Sequence, residues 1–240
     1  NHSLTARARD AAGNTTTSVA RSVTVSNATT PPAAGRVIEL QPANADGSCN
    51  EPLETVANTL QPGDTLILHG GTYSQSCRRL LTGLRGTASQ PITIRAATGE
   101  VPLLTRPVAV LFTYADHNLE IQDSSYLIIR GLKFRGGRTG IAFLGTNDHI
   151  TVEDGEVYET GGSGVAMIGG TLDALTLRRN HVHHTGRSAA ANTDGEGIAL
   201  GCATAGCQAT NSLVEGNHIH HTMSTGTGRS EGIELRAGSS

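Results

Sequence analysis

The sequence predicts an all-β fold, a right-handed parallel β-helix with an N-terminal capping helix, over residues 37–240. Three observations predict it. Glycine reaches 30 residues in 240 while aromatics are 3% and tryptophan is absent, which suits short strands joined by tight turns better than long helices. From Tyr126 onward the chain repeats itself: Ile129, Val152, Leu177 and Val214 align, as do Phe134, Val157, Val182 and Ile219. A third alignment stacks Gly140-Ile141-Ala142-Phe143 on Gly164-Val165-Ala166-Met167, Gly197-Ile198-Ala199-Leu200 and Gly232-Ile233-Glu234-Leu235.

Each repeat offers apolar positions two apart, the pattern of a strand with one face in a core. One coil cannot bury its own inner face, so coils must stack. The competing antiparallel sandwich calls for Asn-Gly hairpin turns, which the connections lack. The third coil is the longest and is read as carrying two insertions, Arg187 to Thr193 and Cys202 to Asn211. Arg130, Glu153, Arg178 and Glu215 form an outward column of alternating sign, expected to be exposed and worth at most about 1 kcal/mol per pair.

In chain order, residues 1–27 read as a hairpin, alternating small or apolar with polar residues around the turn signal Asp10-Ala-Ala-Gly-Asn14. Residues 28–36, with Pro31 and Pro32, read as a linker. From Pro52 to Leu60, Leu53, Val56, Ala57 and Leu60 follow helical spacing, so a helix is expected to cover the open first rung. A turn at Gln61-Pro-Gly-Asp64 then leads into a short β run.

Net charge is −3 with a pI near 6.4, so no basic field exists to hold a nucleic-acid backbone. No run of roughly 18 apolar residues occurs that would span a membrane. Asn1 follows no charged-then-apolar leader, and an export signal is expected upstream in a longer, multidomain, monomeric chain that continues past Ser240. Cys49, Cys77, Cys202 and Cys207 lack the paired spacings of a zinc ribbon. The reading is Cys49–Cys77 and Cys202–Cys207 disulfides in a secreted or cell-surface protein, against four reduced, buried thiols.

Acidic residues bracket the third coil. By the repeat alignment Glu196 stacks with Glu231 and Asp194 with Arg229, which gathers Asp194, Glu196 and Glu231 on one face. Carboxylates a strand spacing apart repel unless a cation or a shared proton relieves them, and an all-oxygen set suits calcium. The other reading is solvated turn residues. His181, His183 and His184 recur as His218, His220 and His221, with His183 and His220 in the column of Tyr158. Such a set can stack on a sugar face, bind a transition metal, or form a solvent-facing ladder beside an Asn180–Asn217 amide ladder.

The segments Gln61 to Tyr73, Pro91 to Ala97 and Tyr126 to Phe134, with the repeat, resemble the pectin-lyase-like superfamily, and the entry region resembles its chondroitinase B and alginate lyase group. His2 to Asn14 resembles the last strands of bacterial immunoglobulin-like modules. The lyase resemblance implies calcium held by acidic and amide side chains, which neutralises a uronate carboxylate while a basic residue removes the neighbouring proton. On that pattern Glu231 falls on a calcium-ligand position and Arg236 where the group has its catalytic lysine, while a second ligand position falls on Arg229. Two functions from different classes are therefore expected. One is an acidic-polysaccharide lyase with Arg236 and Glu231 at the reaction; the other is a non-catalytic polysaccharide-binding or adhesive surface module using Tyr158, His183 and His220.

Overall fold

The computed structural model describes residues 2–23, 34–43, 49, 52–106, 117–188, 193–202, 206–236 and 239–240. Most of the expected linker, and residues 189–192 and 203–205 of the two expected insertions, lie outside these. The chain divides into two compact units, residues 1–33 and residues 34–240.

In the first unit, Arg7–Arg9 pairs antiparallel with Thr15–Thr17 and His2–Leu4 with Arg21–Val23, two nested pairs closing the expected hairpin. Its turn is fixed by Asp10, whose carboxylate accepts from the backbone N–H of Asn14 at 2.8 Å and from the Asn14 side chain at 2.9 Å.

The second unit is a parallel β-helix of three sheets. One six-stranded sheet, here the histidine sheet, runs His218–His220, His181–His183, Glu156–Tyr158, Lys133–Gly136, Pro102–Arg106, Gly71–Ser74. Another, the alanine sheet, runs Ile233–Leu235, Ile198–Leu200, Val165–Met167, Ile141–Leu144, Leu119–Gln122, Leu80–Thr82. The third, the charged sheet, has nine strands and includes Val37–Leu40, Thr65–Leu68, Ile92–Ala96, Ser125–Arg130 and Thr146–Glu153. The register is the one read from the repeats: Phe134 pairs with Val157, Val157 with Val182 and Val182 with Ile219, and Ile129 with Val152, Val152 with Leu177 and Leu177 with Val214.

These columns fill the interior, with Tyr73, Leu104, Phe134, Val157 and Val182 at most 1% exposed. Glycine is required at one corner of three successive coils. A Cβ on Gly140 would lie 2.2 Å from a Val157 methyl, and on Gly164 or Gly197 2.4 Å from Val182 or Ile219. The corner backbone thus packs directly on an inward side chain of the neighbouring strand column. Amides stack at another corner, where Asn180 Nδ2 donates to Asn217 Oδ1 at 3.0 Å and to Val152 O at 2.9 Å.

A short helix, Leu53–Ala57, sends Leu53 and Ala57 into the core. Two expectations change. The stretch from Cys202 to Asn211 is not wholly an insertion, because Gln208–Thr210 is a strand paired in parallel with Thr171–Asp173. Nor is the charged column evenly exposed. The Glu153 side chain is only 5% exposed, closed over by Arg178 at 2.6 Å, Arg179 at 2.9 Å and Arg130 at 3.7 Å. A short carboxylate lies beneath long arginines whose stems cover it.

Candidate functional site

The outward column of the alanine sheet reads Glu120, Ala142, Ala166, Ala199, Glu234. Small side chains leave a floor, and charged side chains stand at its sides. Over Ala166 and Ala199 lies a cleft of about 130 Å³ whose walls include Arg138, Ser163, Thr193, Asp194 and Arg236.

The backbone brings Asp194 to this cleft and stacks Glu196 and Glu231 beside it. Gly195 N donates to Arg229 O at 2.6 Å and Gly197 N to Glu231 O at 3.0 Å, which stacks Glu196 with Glu231 and Asp194 with Arg229. Glu196, however, is fully buried. Its Oε2 accepts from Ser163 Oγ at 2.7 Å and its Oε1 from Arg236 Nη2 at 3.0 Å. The same Nη2 lies 2.8 Å from Glu234 Oε2, Arg236 Nε donates to that oxygen at 2.9 Å, and Asp194 Oδ2 is 3.7 Å away. Arg229 pairs with the other Glu234 oxygen at 3.0 Å, while its backbone N–H donates to Asp194 Oδ1 at 2.9 Å. Carboxylate oxygens of Glu196, Glu231 and Glu234 lie within 4.8 Å of one another, and of the three only Glu231 is exposed.

Crowding separates the titrations of this set. Burial holds Glu196 above the ordinary carboxylate range against the pull of the Ser163 hydroxyl, and the neighbouring Glu234 and Asp194 add to the rise. Glu234 feels burial too, but bonds from Arg236 and Glu196 outweigh it and bring it below that range. Burial alone would lower Arg236; Glu234, then Glu196 and Asp194, more than reverse this. Arg236 is therefore a fixed cation.

An all-oxygen set is what calcium takes, in groups of six to eight oxygens. Here both Glu196 oxygens are engaged, and Arg236 bridges Glu196 and Glu234 as the cation between them. With Arg236 so placed the residues do not fit calcium.

The histidine sheet carries the second predicted set in its predicted register, Tyr158 beside His183 and His183 beside His220. The rings stack on each other, with centroids 5.2 Å apart for Tyr158–His183 and 5.1 Å for His183–His220. Their faces are turned to one another and their edges outward. Lower on the same sheet, Thr72, Ser74, Thr105, Arg106, Arg135 and Glu159 line an open depression of about 420 Å³.

Cys49–Cys77 and Cys202–Cys207 are disulfides, with Cα atoms 5.3 and 5.5 Å apart. Among the described residues no helix is long and apolar enough to cross a membrane.

Sequence reasoning missed Glu234, Ser163 and Arg138. Glu234 carried a signal, since it stands where the three preceding repeats have alanine. Ser163, in Gly161-Gly-Ser-Gly164, reads as a plain turn, and nothing in the sequence singles out Arg138.

A family described as a right handed beta helix region matches residues 111–240. An alginate lyase from Paenibacillus sp. str. FPU-7 superposes with a TM-score of 0.60 and 26% identity, covering 76% of this chain and 57% of that one. Pectate lyase Pel9A superposes with a TM-score of 0.56 at 16% identity, covering 75% of this chain and 47% of that one, a likeness of fold alone. The chain thus spans about half the length of these structures. No curated protein matches it. With that match covering more than half of its length, and with three parallel sheets stacked coil on coil, the chain belongs to the right-handed β-helix family.

Proposed function

We propose that this chain engages an acidic polysaccharide outside the cytoplasm through the Arg236 cleft, with lyase chemistry as its reaction. The observation that carries this is Arg236 itself, a permanently charged guanidinium 19% exposed at the wall of an open, alanine-floored cleft. Guanidinium matches a carboxylate in shape as well as charge. The likeness to an alginate lyase and the two disulfides support the same reading.

A uronate carboxylate entering the cleft exchanges with Asp194, the most distant acid at 3.7 Å, as partner of Arg236. That pairing acidifies the C–H bond beside the carboxylate. The base takes the proton, the C–H electrons form the C=C bond, and the glycosidic C–O bond breaks, its oxygen leaving with a proton from water. Arg236 cannot be that base, because its acid neighbours hold its pKa up. We assign the step to Glu231, the exposed carboxylate of the cluster. Tyr158, His183 and His220 on the neighbouring sheet supply a lateral contact for a long polymer.

One observation favours a second reading, binding without cleavage: Arg236 is already bonded to two carboxylates, which blunts its pull on a third. Incubation with a panel of uronate-containing polysaccharides separates the readings. New unsaturated ends, followed by absorbance, support the lyase; retarded migration in gels containing the polymer, without new ends, supports the binding module. Neither signal on any acidic polymer overturns both.

A further inference from the structure

The six histidines of two adjacent coils do more than form a ladder. His181 Nε2 faces His220 Nε2 at 2.7 Å. On the far side of His181, Nδ1 is turned to Glu156 Oε1 at 3.6 Å, and on the far side of His220, Nδ1 bonds to His221 Nδ1. A carboxylate on that side favours, through its charge, a proton on Nδ1, which leaves Nε2 free to act as a ligand. The two Nε2 atoms thus meet edge to edge, a contact satisfied by a hydrogen bond when no ion is bound and, with the pair opened slightly, by a shared metal ion. His218 adds a third nitrogen, all three lying within 4.8 Å of one another. Nitrogens around a tetrahedral zinc, with bonds of about 2.0–2.1 Å, stand roughly 3.3 Å apart, so small side-chain rotations close the set on an ion.

We propose that His181, His218 and His220 form a binding site for a divalent transition-metal ion of the zinc type, with Glu156 as its outer-sphere partner. Imidazole nitrogen suits zinc, nickel and copper and discriminates against calcium and magnesium. His181 is 40% exposed, so an ion can reach the site and three protein ligands leave its fourth position open. Glu156 is held in place independently by Lys133 at 2.5 Å and by His183 Nε2 at 3.0 Å. The site lies on the histidine sheet and does not depend on the Arg236 cleft.

The test is calorimetric titration of the intact, chelator-stripped chain with zinc chloride. About one zinc ion per chain is expected, unaffected by millimolar calcium. The double variant His181→Ala/His220→Ala should abolish this event, His69→Ala should leave it intact, and Glu156→Gln should weaken it about 10–100-fold. Circular dichroism and melting without metal check the fold of each variant. Should the double variant fail to fold, single His218→Ala and His220→Gln variants, each expected to weaken binding at least tenfold, replace it. No saturable binding, or binding unchanged in these variants, overturns the proposal.

Discussion

Arg236 and Glu196 bond at 3.0 Å across 40 residues of sequence, and the pair sits where a coil corner of the alanine sheet meets its open cleft. Glu196 is sealed from solvent while Arg236 is not. The buried carboxyl therefore acts on the guanidinium, and the guanidinium meets whatever enters.

A consequence is a pH signature. Glu196 has a folded-state pKa above its unfolded value, so the folded chain binds this proton more tightly. Its contribution to stability is then fully present at low pH and is lost as pH rises from the ordinary carboxylate range through the raised value. Glu196→Gln cannot lose it. Melting temperatures recorded across that window should show the variant gaining on the wild type as pH rises; parallel curves would contradict the burial assigned to Glu196.

Corner glycines should be sterically coupled to the core. Gly164→Ala places a methyl 2.4 Å from Val182 Cγ1 and 2.7 Å from Gly197 O, for an expected loss of about 1–3 kcal/mol. Adding Val182→Ala removes one of the two clashes. Denaturant unfolding of both single variants and the double should give a favourable coupling above about 0.5 kcal/mol, and strict additivity would rule out this packing.

The charged column should respond asymmetrically. Glu153 is buried beneath three arginines that are each 41–56% exposed. Glu153→Ala leaves those cations crowded and is expected to cost about 1–3 kcal/mol, whereas Arg178→Ala, with two arginines remaining, should cost about 1 kcal/mol or less. Equal losses by chemical denaturation would argue against a shared central carboxylate.

The two disulfides should differ in weight. Cys49–Cys77 closes a sequence separation of 28 and Cys202–Cys207 one of 5. Loop entropy assigns about 3–4 kcal/mol to the first and about 2 kcal/mol to the second. Cys49 and Cys77 are also the exposed pair, while Cys207 is buried. Mild thiol followed by mass-spectrometric alkylation should label Cys49 and Cys77 first, and the reverse order would contradict the placement of these loops.

Stacking was legible in the sequence because it rests on period. The columns through Phe134, Ile129 and His183 follow from spacing two within strands and from recurrence between coils. The placement of Glu196 with Glu231 was legible for the same reason. Burial was not, because it depends on the side chains that close over a position from other coils. Glu153 reads as part of an exposed column and Glu196 as a carboxylate on an open face, for a cation or for solvent, yet both lie under arginines brought there by the fold. The pairing of Arg236 with Glu234 is hidden differently: the lyase resemblance points to Glu231 and the lysine position, whereas the departure from alanine at Glu234 marks the actual partner.

The most direct measurement compares binding of a polyuronate and its carboxyl-reduced counterpart to the wild type and to Arg236→Ala, by affinity electrophoresis with a folded-state control. The cleft reading predicts retention of the wild type by the polyuronate alone, and loss of most of that retention in the variant. Equal retention by the reduced polymer, or undiminished binding by a folded Arg236→Ala chain, would contradict it.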